Sequence, residues 1–241
     1  ISEAFDSYSK AIELTPDFAF AYSRRAICYE LLDRLDDALK DHSTAIYLRP
    51  TEGDFYYQRA ICYKDLGMFY KAITDLSKNF VINSNNQTYL LRGECYFQVK
   101  DYNNAYKDFT TALKYDPEYE VIYFNRANCL VELDMLSEAI RDYNKAIELN
   151  SKYEEAYFNR AMLCYFPLEK YSEALDDLNR IIRLNKNIPS YYNNRGVIKY
   201  NLGNYQEALE DYNIALELDP DYHIAFKNRE NTISRLKMEQ Q

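Results

Sequence analysis

Apolar residues recur along the chain at the spacing of one helix face, in paired short stretches. In the clearest pair, residues 121–133 are predicted to form a first helix (helix A) and residues 137–149 a second (helix B). The large side chains expected to fill the seam between these helices are Tyr123, Leu130, Tyr143 and Ile147. The chain has only 5 Gly and 6 Pro, which favours helices joined by short turns. Gly67 and Gly203 suit the left-handed position that ends a helix.

This paired pattern repeats along the chain. The sequence Tyr-Phe-Asn-Arg-Ala occupies residues 123–127 and returns at residues 157–161. An arginine recurs at intervals of 33 to 35 residues, at Arg25, Arg59, Arg92, Arg126, Arg160, Arg195 and Arg229. A small residue follows the first six of them: Ala26, Ala60, Gly93, Ala127, Ala161 and Gly196. Because antiparallel helices approach closely only where Ala or Gly replaces bulk, these residues mark the contact between helices.

The pattern resembles the tetratricopeptide repeat (TPR) family over nearly the whole chain. That family's unit is a helix–turn–helix of about 34 residues, with small residues at positions 8, 20 and 27, aromatic residues at 4, 11 and 24, and Pro at 32. The resemblance implies an all-α fold, a right-handed α-solenoid of antiparallel helix pairs (TPR superhelix). Positions are counted within the repeat, so that the recurring arginine is at position 7.

The resemblance also implies the division of the chain. Full repeats are expected at residues 19–52, 53–85, 86–119, 120–153, 154–188 and 189–222. The second is one residue short around Ser84, and the fifth has a one-residue insertion near Pro167, so altered packing is expected at both places. Residues 1–17 are expected to be helix B of a truncated repeat, and residues 223–241 a C-terminal capping helix.

A ladder of aspartates accompanies the arginines at position 23: Asp41, Asp75, Asp108, Asp142, Asp177 and Asp211. A planar guanidinium can meet a carboxylate with two hydrogen bonds. We therefore predict a repeated structural ion pair, rather than a ligand site, that uses arginines such as Arg59, Arg126, Arg160 and Arg195. The pair can join the two helices of one repeat, or helix B of one repeat to helix A of the next. Counting leaves both open, since each arrangement leaves one arginine, Arg25 or Arg229, without a partner.

Five cysteines form a further ladder, at Cys28, Cys62, Cys95, Cys129 and Cys164. Packed neighbouring helices lie about 8–10 Å apart, beyond the usual reach of a disulfide. We interpret these cysteines as buried small apolar residues, not as bridges or metal ligands. Reduced cysteines are typical of a cytoplasmic or nuclear protein.

Composition and motifs argue against several function classes. The formal net charge of −9 disfavours a nucleic-acid partner, because binding to phosphates depends on basic side chains. No apolar run is long enough for a membrane span. The chain has two histidines and no phosphate-binding glycine motif, HExxH or CxxC. We therefore predict a protein that is not an enzyme and that uses no cofactor and no metal.

In TPR proteins, side chains at positions 2, 5, 6, 9, 12 and 13 line a concave groove that binds peptides. The resemblance therefore implies a groove here, and position 6 carries an asparagine ladder: Asn125, Asn159, Asn194 and Asn228. A side-chain amide offers a donor and an acceptor that can pair with a peptide backbone. The other candidate groove residues are Tyr57, Phe124, Asn128, Phe158, Met162 and Asn193. The alternative is that the asparagines form only local hydrogen bonds.

A carboxylate clamp, which in some TPR co-chaperones binds the acidic C-terminal tails of Hsp70 and Hsp90, is not expected. The clamp combines two asparagines with three cationic residues. Asn128 and Asn159 match the asparagines, but Phe124, Ser190 and Asn194 stand at the cationic positions. Without those cations the groove has no charge partner for a terminal carboxylate.

The sequence thus predicts a non-enzymatic protein–protein interaction scaffold that binds a partner peptide or helix in its concave groove. Two alternatives stay open. One is a substrate-recruiting or regulatory arm of a larger enzyme or co-chaperone, and residue 1, an Ile, leads us to expect that the chain is part of a longer protein. The other is a structural subunit of a large assembly, such as a ciliary or secretory complex.

Overall fold

The computed structural model describes residues 1–82, 85–166 and 168–239, and in these ranges it contains fourteen α-helices and no β-strand. The first eight are α1 (Ser2–Leu14), α2 (Ala19–Glu30), α3 (Leu35–Leu48), α4 (Gly53–Asp65), α5 (Phe69–Ile82), α6 (Asn86–Gln98), α7 (Tyr102–Tyr115) and α8 (Glu120–Glu132). The others are α9 (Leu136–Leu149), α10 (Glu154–Tyr165), α11 (Tyr171–Leu184), α12 (Pro189–Asn201), α13 (Tyr205–Leu218) and α14 (His223–Glu239). The predicted all-α fold of paired helices is confirmed. The altered packing expected at Ser84 and Pro167 lies outside the described residues.

The helices form two compact units, Ile1–Met135 with α1–α8 and Leu136–Gln241 with α9–α14. In each unit every helix contacts the next one along the chain. The even-numbered helices α2 to α12 are the predicted A helices and the odd-numbered ones the B helices. We count α14, the predicted capping helix, with the A helices because it follows the B helix α13. The A helices α2, α4, α6 and α8 also contact one another in sequence, and α12 contacts α14. We call the surface formed by the A helices of one unit its A-helix face.

Each turn from an A helix to the following B helix contains one residue in the left-handed region of backbone conformation. Gly67 (φ 69°) and Gly203 (φ 82°) hold this position in two turns, where the missing Cβ removes the steric cost. Other residues hold it elsewhere: Asp33, Lys100, Asp134 and Glu169. After α8, the backbone N–H of Met135 donates to the Leu130 carbonyl at 2.8 Å, which satisfies a carbonyl at the helix end.

Small residues line the predicted helix seams. The alanines at position 20 are fully buried: Ala38, Ala72, Ala105, Ala139, Ala174 and Ala208. A Cβ added to Gly93 would lie only 2.7 Å from Cε1 of Phe109. A Cβ added to Gly196 would lie equally close, 2.7 Å, to Cε1 of Tyr212. Glycine at position 8 therefore makes room for the aromatic ring at position 24 of the same repeat.

Arginines of the A helices bind buried aspartates of the B helices. Arg59 donates from Nε to Asp75 Oδ2 at 2.7 Å and from Nη2 to Asp75 Oδ1 at 2.8 Å. The same geometry, at 2.5–2.9 Å, occurs in the pairs Arg25–Asp41, Arg92–Asp108, Arg160–Asp177 and Arg195–Asp211. These pairs join the two helices of one repeat, which is one of the two arrangements compatible with the sequence. Arg126 and Asp142 belong to different units, and their pairing stays a prediction.

The same arginines also contact the preceding B helix, through a side chain at position 25 that varies between Ser, Thr and Asn. Arg59 Nη1 donates to Ser43 Oγ at 3.1 Å, and Arg195 Nη1 donates to Asn179 Oδ1 at 2.7 Å. The residues that accept such a bond are Ser9, Ser43, Ser77, Thr110, Asn144 and Asn179. One arginine therefore ties together helices of two successive repeats.

Burial sets the electrostatics of these pairs. It raises the pKa of Asp108 and Asp177 by more than the hydrogen bonds from Arg92 and Arg160 lower it. For those two arginines burial lowers the pKa, but the hydrogen bond and charge of the aspartate raise it more. Because the desolvation of both charges offsets much of their attraction, we expect such a pair to fix helix register more than it adds net stability.

The cysteines are all free and buried. Burial raises the pKa of the Cys62, Cys95 and Cys129 thiols to about 12, so these thiols stay protonated at neutral pH. His42 is also fully buried, and its Nε2 lies 2.9 Å from Glu30 Oε1. These groups belong to the core of the repeats. Separately, none of the described helices is both long and apolar enough to cross a bilayer.

Candidate functional site

A pocket of about 540 Å³ opens on the A-helix face of the first unit. It lies across the three successive A helices α4, α6 and α8, and side chains of α5 and α7 also reach it. Its lining residues are Lys64, Phe69, Glu94, Phe97, Gln98, Phe109, Asn125 and Asn128. We call it the phenylalanine pocket, because three phenylalanines supply its apolar lining. Ligand-binding pockets commonly have this order of volume and combine apolar side chains with a few polar groups.

The apolar lining is held firmly in place. Phe109 is only 1% exposed and belongs to a buried core cluster of the first unit, so it supports the pocket from beneath. The accessible apolar surface comes from Phe69 and Phe97, which are half-buried. Gly93 leaves room for the Phe109 ring, as the short distance to an added Cβ shows. Phe97 packs edge-to-face on Tyr102, with 5.3 Å between the ring centroids. A lining fixed in this way can accept a side chain without first losing conformational freedom.

An ion pair lies beside the phenylalanines. Lys64 Nζ of α4 donates to Glu94 Oε2 of α6 at 3.0 Å, and each side chain is about one-third exposed (33% and 32%). Burial lowers the pKa of Lys64, but the hydrogen bond and charge of Glu94 raise it more. Burial raises the pKa of the nearby Tyr57, the charge of Glu94 adds to that shift, and the charge of Lys64 opposes it. The pocket therefore carries one charged pair beside its phenylalanines.

Amide side chains supply the remaining polar groups. Asn125 and Asn128 come from α8, and Gln98 from the end of α6. Among the described residues, the side-chain amides of Asn125 and Gln98 have no hydrogen-bond partner. Each amide offers a donor and an acceptor, the two groups that an extended peptide backbone needs.

Comparison with known families decides what kind of chain this is. One tetratricopeptide repeat model matches residues 87–119, 121–153 and 189–222, and a second matches residues 7–40. The chain belongs to the tetratricopeptide repeat family. The TPR fold is typical of protein–protein interaction scaffolds. A search of curated proteins found no match to this chain.

Solved structures show the same TPR fold. The APC/C hetero-tetramer Cut9–Hcn1 matches with a TM-score of 0.69 at 15% identity, over 95% of this chain and 45% of that one. YrrB, described as a TPR protein with an unusual peptide-binding site, matches with a TM-score of 0.64 at 18% identity, over 92% of this chain and 97% of that one. A TPR protein from Parabacteroides merdae matches with a TM-score of 0.67 at 20% identity, over 95% of this chain and 91% of that one. At these identities the likeness shows the fold alone, and this chain spans less than half of the Cut9–Hcn1 chain.

The TPR positions that face a groove are acidic in the first unit. Positions 2, 5, 6, 9, 12 and 13 of its A helices carry the carboxylates Glu30, Asp54, Asp65, Glu94 and Glu132. The basic residues at those positions are Arg24 and Lys64. Because Lys64 is paired with Glu94, it does not neutralise the other carboxylates. The face around the phenylalanine pocket therefore has an excess of negative charge.

The asparagines of the TPR ladder in the second unit have a different setting. Asn159, Asn194 and Asn228 take the same repeat position in α10, α12 and α14. Asn228 Nδ2 donates to Asn193 Oδ1 at 3.0 Å. Asn193 is only 4% exposed, so this predicted groove residue joins two helices and leaves little surface for a partner. The pocket that Asn228 lines is small, at about 120 Å³.

The aromatic and apolar groove residues predicted from the TPR pattern are half-buried. Phe158 packs on Tyr191 of the next A helix, with 5.7 Å between ring centroids. Phe158 and Met162 both pack against one buried core cluster of the second unit. Tyr57 packs against a core cluster of the first unit, and Phe124 is half-buried on α8. Their packing within the repeats reduces the surface that they offer to a peptide.

Several pocket residues were not among the residues predicted for the TPR groove: Lys64, Phe69, Glu94, Phe97, Gln98 and Phe109. Lys64, Phe97 and Gln98 stand at positions 12 and 13, which belong to the groove positions of the family, so this signal was present in the sequence. Phe69 and Phe109 come from B helices. No groove position of the repeat indicates them, because they reach the pocket only through the packing of the helices.

Proposed function

We propose that this protein is a non-enzymatic protein–protein interaction scaffold that binds a partner peptide or helix on the A-helix face of its first unit. The observation that carries the proposal is the phenylalanine pocket. It brings a fixed apolar lining, an ion pair and side-chain amides to one place on three successive A helices. The likeness in fold to YrrB, a TPR protein described as having a peptide-binding site, supports the proposal.

The pocket can contact both an apolar side chain and the backbone of a peptide. An apolar side chain gains about 25 cal/mol for each Å² that it buries, so one large side chain on the phenylalanines contributes about 2–3 kcal/mol. The amides of Asn125 and Gln98 pair with the backbone, which sets the direction and register of the chain. Together these contacts give an interaction of moderate strength in which one or two side chains dominate the binding energy.

The partner is a protein segment and not a nucleic acid or an acidic tail. The carboxylates around the pocket repel phosphates, and they also repel the acidic C-terminal tails of Hsp70 and Hsp90. Phe124, at one of the cationic positions of the clamp, is a half-buried apolar residue of the first unit. We place the protein in the cytoplasm or nucleus, where buried free thiols stay reduced.

Site-specific crosslinking tests this proposal. A photoreactive amino acid is placed at Gln98, which is exposed and lines the pocket, and in a control at Tyr70 of the B helix α5, which is 72% exposed. Each variant is irradiated in native lysate, and crosslinked peptides are identified by mass spectrometry. We expect defined segments of partner proteins at position 98 and not at position 70. Crosslinks only at position 70, or at neither position, would contradict binding on the A-helix face.

A further inference from the structure

The chemistry of the phenylalanine pocket also specifies what it binds. Resting on the proposed function, we infer that the pocket takes one bulky apolar side chain from a basic segment of the partner. Two independent features of the first unit point to this ligand: the apolar lining of the pocket and the charge of the surrounding face.

The apolar lining selects the side chain that enters. Phe69, Phe97 and Phe109 come from three different helices and converge on one cavity of about 540 Å³. A charged side chain placed among these rings would lose its hydration without gaining a partner there. A leucine, methionine or aromatic side chain loses nothing comparable and gains contact area with the rings.

The surrounding charge selects the flanking residues. Asp54, Asp65 and Glu132 are exposed carboxylates at groove positions of the first unit. Arg24 is the exposed cation at those positions, since the charge of Lys64 is shared with Glu94. Lysine or arginine on either side of the apolar residue therefore meets opposite charge, and aspartate or glutamate meets like charge. This complementarity favours a basic partner segment over an acidic or a neutral one.

The Lys64–Glu94 pair gives a direct way to read the sign of the partner's charge. Both side chains are partly exposed, so either can be changed without opening the core. Lys64→Gln leaves Glu94 ionised and unpaired, which adds negative charge to the face. Glu94→Gln leaves Lys64 charged and unpaired, which removes negative charge. The two variants break the same ion pair and move the net charge in opposite directions.

The test selects binders from a library of random displayed peptides, using the full 241-residue chain as bait. Clones are kept when they bind the wild-type chain and lose binding to the variant Gln98→Ala/Asn125→Ala. We expect the kept clones to share one large apolar residue with Lys or Arg beside it. For synthetic copies, replacing the apolar residue by Ala should weaken binding about tenfold or more.

Fluorescence anisotropy then measures the same synthetic peptides against the two charge variants. We expect Lys64→Gln to bind about threefold more tightly than wild type and Glu94→Gln about threefold more weakly, as one partly screened charge would cause. Thermal melting confirms that the variants are folded.

The outcomes separate this inference from the proposed function. Clones that depend on Gln98 and Asn125 but are acidic, or lack an apolar residue, would overturn the inference and leave the proposed function standing. The same holds if the effects of Lys64→Gln and Glu94→Gln have the reverse signs or are absent. A library without any clone that depends on those amides would count against both.

Discussion

In the first unit Arg59 and Asp75 join α4 to α5 through two hydrogen bonds, and in the second unit Arg195 and Asp211 join α12 to α13 in the same way. Both arginines also bond to position 25 of the preceding B helix. Alanines at position 20 are fully buried in both units. Each unit is therefore stabilised internally by the same repeated set of contacts.

Their A-helix faces differ. The first unit presents the phenylalanine pocket among carboxylates. The corresponding positions of the second unit carry the amides Asn159, Asn193, Asn194, Asn201, Asn228 and Asn231, with Glu155 as the acid and Lys227 and Arg235 as the bases. Because the interior positions are fixed by packing and the face positions are not, the same framework can carry two surfaces of different chemistry. This difference supports the proposal that the first unit binds the partner.

The largest expected effect is a loss of stability when an aspartate of the ion-pair ladder is replaced. Comparing this loss in the two units tests whether the ladder stabilises both of them equally. Asp75→Asn and Asp211→Asn each remove a buried carboxylate from a half-buried arginine, and Asp211→Asn also removes it from Lys199. We expect each variant to lose about 3 kcal/mol of unfolding free energy. Urea unfolding followed by circular dichroism measures this loss. If one of the two variants lost less than about 0.5 kcal/mol of unfolding free energy, the ion pair would stabilise only the unit that contains the other variant.

A double variant serves as a control. It separates the cost of leaving one charge unpaired from the net contribution of the intact pair to stability. Replacing both members, as in Arg59→Leu/Asp75→Leu, removes the desolvated charges together. We expect this double variant to be more stable than Asp75→Asn, because neither charge of the pair is left without its partner. A double variant that is less stable than the single one would mean that the pair contributes net stability.

A smaller effect is expected at the glycines that face aromatic rings. In Gly196→Ala the new Cβ would lie 2.7 Å from the Tyr212 ring, and we expect a net loss of about 1–2 kcal/mol after the better helix propensity of Ala is included. In a Tyr212→Leu background the same change should cost much less, since Leu76 occupies that position beside Ala60 elsewhere in the chain. An equal cost of Gly196→Ala in both backgrounds, measured by urea unfolding, would show that the ring is not the cause.

The matched change in the first unit sharpens the comparison. Gly93→Ala should cost about 1–2 kcal/mol as well, because the new Cβ would lie 2.7 Å from Phe109. Phe109 also lines the pocket, so this variant should in addition weaken peptide binding, whereas Gly196→Ala should not. Equal peptide affinity of the two folded variants, measured by fluorescence anisotropy, would contradict the role of Phe109 in the pocket.

The smallest expected effect concerns the asparagine ladder. Asn125→Ala removes an amide from the pocket and should weaken peptide binding about threefold to tenfold. Asn194→Ala changes the same repeat position in the second unit and should leave the affinity within about twofold. Titration of one labelled peptide against both variants compares them directly. If Asn194→Ala had the larger effect, the binding surface would lie on the second unit.

Much of the fold could be predicted from the sequence, because the interior contacts recur with the repeat. The periodic arginines, aspartates and small residues indicated helix pairs and an ion-pair ladder, although counting could not tell which helices Arg59 and Asp75 join. The bonds from the arginines to position 25 were missed, since Ser43, Thr110 and Asn179 share a hydrogen-bonding role but not an identity. A search for identical residues does not detect a shared role.

The candidate site was predicted less well, for a physical reason. The pocket depends on residues that differ from repeat to repeat, such as Lys64, Glu94 and Phe97, and on Phe109 of a B helix. Its cavity arises where three A helices lie side by side, which repeat positions alone do not show. Asn193 is an opposite example. Its repeat position predicted a side chain exposed in the groove, but it is buried and accepts a hydrogen bond from Asn228.

The most direct test of the central claim compares crosslinking from the two A-helix faces. A photoreactive amino acid at Gln98 reports on the first unit, and one at Asn231, which is exposed on α14, reports on the second. We predict that a partner segment crosslinks at position 98 and not at position 231. A partner that crosslinks at position 231 and not at position 98 would contradict the assignment of binding to the phenylalanine pocket.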